Sequence, residues 1–154
     1  FVVDVTDGPD IDDFAGTADR LFEQPYLVTP TSNHIGLRMT GPLPERISRG
    51  EVLSGGVPVG AVEVPPGDEL LVLHRGRGVT AGYPVLAVVT SGSLDVLAQV
   101  RPGQRLRFRR VSSSEAAARA RADLVALDAL RLRVGSVFAA LDALSLSTTG
   151  RTLL

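Results

Sequence analysis

The sequence predicts a mainly β domain, a curled sheet or barrel, with a helical tail behind it. Between Tyr26 and Val111, short β-type runs are separated by Gly, Pro, Ser and Asn, the punctuation of strands joined by turns. The lengths and spacing of those runs fit a sheet that curls on itself. After Val111 the composition changes to Ala-, Arg- and Leu-rich sequence with apolar residues at helical spacing.

Taken in order, Phe1 to Val5 reads as a strand, followed by an acidic turn with Gly8 and Pro9 and a helix from about Asp12 to Glu23. Six of the first twenty residues are acidic and Arg20 alone is basic. Without a full calcium-loop pattern, this run reads as a solvated face rather than a metal site. The strands that follow are "YLVTP", "GLRMTG", "VGAVEV", "ELLVLH", "PVLAVVT" and "RLRFRRV". In the last, Arg105, Arg107 and Arg109 alternate with Leu106 and Phe108, which puts the arginines on one side, solvent-facing or an anion-binding stripe.

In the tail, "SSS" supplies a helix cap. Leu127, Leu130, Val134, Val137, Leu141 and Leu144 step by three and four, an apolar seam that would pack on its own domain or on a second copy. Gly135 interrupts the helical propensity and is expected to bend or break the helix.

With 154 residues, 44% of them hydrophobic, and a net charge of −1, the chain has enough material for one ordinary core and no bulk attraction for nucleic acid or anionic membrane. All sixteen basic residues are arginine and there is no cysteine. Thiolate, Schiff-base and P-loop-lysine chemistry therefore cannot come from this chain, nor can a disulfide or a Cys-ligated zinc. No stretch supplies the roughly 20 apolar residues of a spanning helix. The strand-like start without Met reads as a piece whose preceding half lies elsewhere.

Four segments could carry chemistry. In "TSNHIGLRMTG", Ser32 and Asn33 can bond a turn's backbone, and Arg38 offers a rigid five-donor fork, either toward a cleft or as an ordinary strand arginine. His34 follows Ser32 and Asn33 in the same stretch. His74 reads as a surface or satisfied histidine, and no G-x-S-x-G elbow joins either histidine to a serine. Glu63, between valines, is either a buried acid of perturbed pKa or a residue on an exposed strand face. "GRGVTAGYP", Gly76 to Pro84, frees the backbone with three glycines and offers the hydroxyls of Thr80 and Tyr83, reading as a turn first and an anion nest second.

The ordered series "SNHIGLRMTGP", "SGGVPVGAVEVPPG" and "TAGYPVLAVVTSGSLDVLAQVRPGQRLRFRRVS" resembles the C-terminal half of the family formed by biotin-dependent carboxyltransferases and 5-oxoprolinase C subunits, often labelled allophanate hydrolase subunit 2. It covers roughly residues 1 to 112. The chain departs from that pattern at His34, where the family commonly has Arg, and at Glu63, where it commonly has Gln. The family's Asp-Arg-Gln-Thr-Thr-Gly-Gly-Tyr-Pro is matched here at Arg77, Thr80, Gly82, Tyr83 and Pro84, whereas Gly76, Gly78, Val79 and Ala81 differ.

The resemblance implies a cyclophilin-like β-barrel over residues 1–112, with a helical tail over 113–154. It implies a cytoplasmic hetero-oligomer with a companion cyclophilin-like subunit, of the type of the 5-oxoprolinase B subunits or of allophanate hydrolase subunit 1. The reaction would be ATP-dependent opening of 5-oxoproline, or biotin-dependent carboxyl transfer to a urea-like amide. ATP or biotin would serve the complex, and no cofactor or metal is assigned to this stretch. Asn33, Arg38, Arg77, Thr80 and Tyr83 would face the small amide substrate, with Glu63 and His34 as the titratable candidates for catalysis. The erased polar positions leave a second reading, a non-catalytic interaction or regulatory module of the same fold.

Overall fold

In a computed structural model, residues 1–48, 50 and 52–149 are described, with side chains as far as residue 141. Nine strands form along the described chain: β1 (Val2–Asp7), β2 (Tyr26–Val28), β3 (Gly36–Thr40), β4 (Gly55–Gly56), β5 (Ala61–Glu63), β6 (Leu70–Leu73), β7 (Thr80–Ala81), β8 (Val85–Val89) and β9 (Arg105–Arg110). Seven of them close into a barrel in the order β1-β8-β5-β6-β3-β2-β9, while β4 and β7 pair separately. The expected curled sheet is thus a closed barrel, with a helix after it. Closure comes from β9, which pairs antiparallel with β2 and parallel with β1, setting Val3 against Phe108 and Val5 against Arg110.

Alternation along the strands builds the interior. On β9, Leu106 and Phe108 are buried while Arg105, Arg107 and Arg109 face outward, as period-2 geometry requires. Val3, Val5, Tyr26, Val28, Leu37, Met39, Val62, Leu70, Val72 and Leu86 join them in one continuous core. Burying each such side chain contributes about 1.5–3 kcal/mol. Tyr26 meets Phe108 edge to face at 5.6 Å, and its hydroxyl donates to the Pro42 carbonyl. A smaller cluster of Val57, Ala61, Leu73 and Val85 lies apart from this core. Ala61 alternates with core-facing Val62, which puts that cluster on the outside of β5, β6 and β8.

Two expectations near the N-terminus are corrected. The helix expected over Asp12 to Glu23 is a 3₁₀ turn, Ile11–Phe14, and a single helical turn α1, Arg20–Glu23. Between them Gly16 takes φ +86°, a left-handed conformation that a right-handed helix cannot carry. The acidic run is also more than a solvated face. Asp4 takes a bidentate pair from Arg109 at 2.6 and 3.0 Å, Asp7 takes another from Arg110 at 2.7 and 2.6 Å, and Asp13 binds Arg46 at 3.0 Å. Asp10 accepts the Val85 amide at 2.7 Å. The N-terminal acids and the β9 arginines fasten the closing strands together.

A short helix unforeseen in the sequence, α2 (Leu94–Gln99), follows β8 and buries Leu97. The long helix α3 (Ser113–Thr149) starts at a capping box. There the Ser112 hydroxyl accepts the Glu115 amide at 3.2 Å, and the Glu115 carboxylate accepts the Ser112 amide at 2.8 Å. The helix runs through Gly135 without the expected break. By compactness, one unit comprises Phe1–Ala116 and a second begins at Ala117. In the second, Leu127, Leu130, Val134, Val137 and Leu141 are exposed; the side chain of Leu144, last in the expected seam, lies outside the described residues.

Candidate functional site

Glu63 closes β5, and its ladder partners settle which way it points. It lies opposite Leu71 on β6 and Val85 on β8, next to a register shift between Val62 and Glu63. Directly opposed residues share a face. Leu71 and Val85 belong to the outer cluster, so Glu63 sits on the outside of the barrel, in a position sealed from water: it is 1% exposed. Of the two readings the sequence left open for it, burial holds.

Its Oε1 has no hydrogen-bond partner among the described residues. Burial disfavours the charged form, and with no partner to offset it the pKa rises from 4.5 to about 7. A carboxyl so tuned can hold or release a proton near neutral pH.

The β4 and β7 pair belongs to the cover over this face. Ala81 of β7 and Val57, just after β4, pack with Ala61, Leu73 and Val85, and the Val57 amide donates to the Val79 carbonyl at 3.0 Å. Arg77, expected to face substrate, instead donates from Nε to the Val57 carbonyl at 2.9 Å and so clamps the cover. Thr80, on β7, is exposed. Tyr83 is 42% exposed and lines a cavity of about 580 Å³ with Val64, Pro65, Gly67 and Pro84. "GRGVTAGYP" is therefore a turn, a two-residue strand and a cavity wall in succession.

The other expected residues lie elsewhere. Asn33 accepts the Ile35 amide at 2.9 Å, an Asx turn that shapes the β2–β3 connection. Together with His34 it lines a groove of about 460 Å³. That groove is at the end of the barrel where β3 and β5 begin and β6 and β8 finish, the opposite end from Glu63 and Tyr83. Arg38 shares one cross-strand row with Glu63, with Leu71 between them, about 10 Å apart by strand spacing. Its guanidinium is held by Glu69 at 3.3 Å.

The expected site residues thus divide among three places. His74, Arg75 and Arg101, which line the groove with Asn33 and His34, were not expected there from the sequence. His74 is half-buried and its pKa is lowered by desolvation. Only its nearness to Arg75 and Gly76 in the sequence could have drawn attention to it.

A closed seven-stranded barrel with a short outer pair over β5 and β8 defines the class as a carboxyltransferase-type β-barrel domain. The model for "Carboxyltransferase domain, subdomain A and B" matches residues 1–110, and the chain belongs to that family. It is 37% identical over 106 residues to the C subunit of 5-oxoprolinase from Haemophilus influenzae, and 32% identical over 110 residues to the protein of the same name from Escherichia coli. These matches take in 69% and 71% of this chain but 34% and 36% of the relatives, so the chain spans about a third of their length.

Among solved structures it is similar to TTHA0988, with 35% identity and a TM-score of 0.60 over 71% of this chain and 21% of that one. The Kluyveromyces lactis urea carboxylase is similar in fold, with a TM-score of 0.64 at 23% identity, over 75% of this chain and 11% of that one. No helix among the described residues is long and apolar enough to cross a membrane.

Proposed function

We propose that this chain is the barrel portion of one subunit in an ATP-dependent hydrolase or carboxyltransferase complex that acts on a cyclic amide or urea-like substrate, with 5-oxoproline the first candidate. The matches to the C subunits of two 5-oxoprolinases support this reading. The observation that carries the chemistry is Glu63, buried, without a hydrogen bond at Oε1, and with a pKa of about 7.

In this reading the pair of β4 and β7 lifts to admit substrate, and Glu63 exchanges a proton with the amide as its bond is broken. Thr80, on that cover, and Tyr83, beside it, supply hydroxyls to the substrate's polar edge. Arg77 holds the cover's shape. Arg38, two strands away in the same row, offers a cation for a carboxylate once Glu69 yields it. Asn33 shapes its own turn, and His34, at the far end of the barrel, is left out of the proton transfer. A companion subunit of similar fold, ATP or biotin, and a cytoplasmic setting belong to the same reading.

The test is ATP-dependent 5-oxoproline turnover by the full-length, co-expressed complex. Glu63→Leu, which removes the carboxyl without installing the Gln that the family commonly carries here, should lower kcat by about 10²–10⁴-fold, the usual contribution of a positioned acid or base, while the complex stays assembled. Undiminished turnover in the variant would remove Glu63 from the chemistry. No turnover by a well-folded wild-type complex would favour the interaction-module reading, to which the loss of polar groups at Gly76, Gly78 and Val79 already points.

A further inference from the structure

The groove at the far barrel end has its own charge pattern. Arg75, Arg101, His34 and His74 all line it, and no Asp or Glu among the described residues does. In the same unit, Arg20, Arg38, Arg46, Arg109 and Arg110 are each tied to a carboxylate. The side chains of Arg75 and Arg101 have no such partner among the described residues. In a chain whose net charge is −1, two free guanidinium groups and two imidazoles around one acid-free concavity are a local excess of donors.

The remaining wall is apolar. Leu94 and Ala98 of α2 face the groove, with the core leucines Leu97 and Leu37 behind them. Its volume, about 460 Å³, lies within the range of small-molecule sites, about 300–1,000 Å³. A guanidinium fork suits the two oxygens of a carboxylate. A bare inorganic anion would leave the apolar wall unused.

We propose that this groove binds an organic carboxylate, its head between Arg75 and Arg101 and its apolar body along Leu94 and Ala98. The site is separate from Glu63 and goes beyond the reaction proposed above. Its binding is measurable without ATP, so it stands or fails independently of turnover.

The experiment titrates the full-length polypeptide with hexanoate, hexanamide and inorganic phosphate, followed by calorimetry. Hexanoate should saturate one site at least about tenfold more tightly than either comparison ligand, a difference that charge-assisted bonds supply. Arg75→Gln/Arg101→Gln should weaken hexanoate by at least about tenfold with Tm unchanged, because both residues are exposed and neither side chain holds a structural partner among the described residues. Hexanamide binding as well as hexanoate would overturn the anionic assignment. Phosphate binding as well as hexanoate would overturn the role of the apolar wall and reduce the groove to a general anion patch. Equal hexanoate affinity in the double variant, or no saturable hexanoate binding at all, would refute the site.

Discussion

Gly76 lies directly against His34: a Cβ built on the glycine would come within 2.5 Å of the His34 carbonyl oxygen and 2.8 Å of its Cδ2. These are two of the positions at which the chain departs from the family pattern, which has Asp at 76 and Arg at 34. Their separation along the sequence hides the fact that the two departures touch.

Side chains therefore cannot be added at 76 without moving the 34 backbone. Gly76→Asp should cost about 1–3 kcal/mol as an overpacking change. Combined with His34→Arg in a double-mutant cycle, it should show a favourable coupling of about 0.5–3 kcal/mol, the range for residues in contact. Denaturant melts of the four proteins check this, and additive losses would mean the two positions change independently. Gly56→Ala, where a Cβ meets nothing within 4 Å, is the control and should stay within about 0.5 kcal/mol.

Glu63 predicts an unusual pH dependence. Its pKa is about 7 folded against an ordinary 4.5, so between those values the folded state holds more protons than the unfolded one. Stability from this group is fully present below pH 4.5 and declines as pH rises through about 7. The loss between about pH 5 and pH 8 should be about 2–3 kcal/mol. Other groups titrate in the same window, His74 with the opposite sign, so the measured quantity is the difference between wild type and Glu63→Gln. That difference should move in favour of the variant with rising pH; a flat difference would mean that Glu63 is solvated.

Gly135 lies inside α3 with open space where a Cβ would stand. Gly135→Ala should stabilise the helix by about 1 kcal/mol, seen as greater helical ellipticity on partial thermal unfolding. Unchanged helicity would indicate that the glycine serves a contact of its own.

Arg38 and Glu69 form a half-exposed pair, and such pairs contribute about 0–1 kcal/mol. Arg38→Ala should leave Tm nearly unchanged and weaken an anionic ligand on the Glu63 face. Equal affinity in wild type and variant would confine Arg38 to its ion pair.

The barrel is legible in the sequence because its strands are local: apolar alternation such as Leu106 and Phe108 between arginines declares a strand and its inner face at once. The helix expected over 12–23 is interrupted at Gly16, whose left-handed conformation is visible only in the backbone. The buried state of Glu63 stays open in the sequence because it depends on neighbours from β6 and β8 and on a cover drawn from two distant turns. His74, Arg75 and Arg101 cannot be grouped from sequence, since α2 and the β9 approach meet them only when the barrel closes. Arg77 is the subtler case: the family pattern flags the residue, and the structure gives it the Val57 carbonyl.

The parallel seam between β1 and β9 also sets a schedule for synthesis. The neighbours of β1 are β8 and β9, and the Asp4–Arg109 pair spans 105 positions. Of the barrel's strands β1 is made first and its two partners last, so neither native pairing forms until residues 85 to 110 have been synthesised. Long-range closure of this kind is slow, and an unpaired strand invites the wrong neighbour meanwhile. Asp4 and Asp7 on β1 repel a second nascent copy of themselves and pair in the finished barrel with Arg109 and Arg110 of β9. The same charges that lock the finished barrel thereby guard its earliest strand.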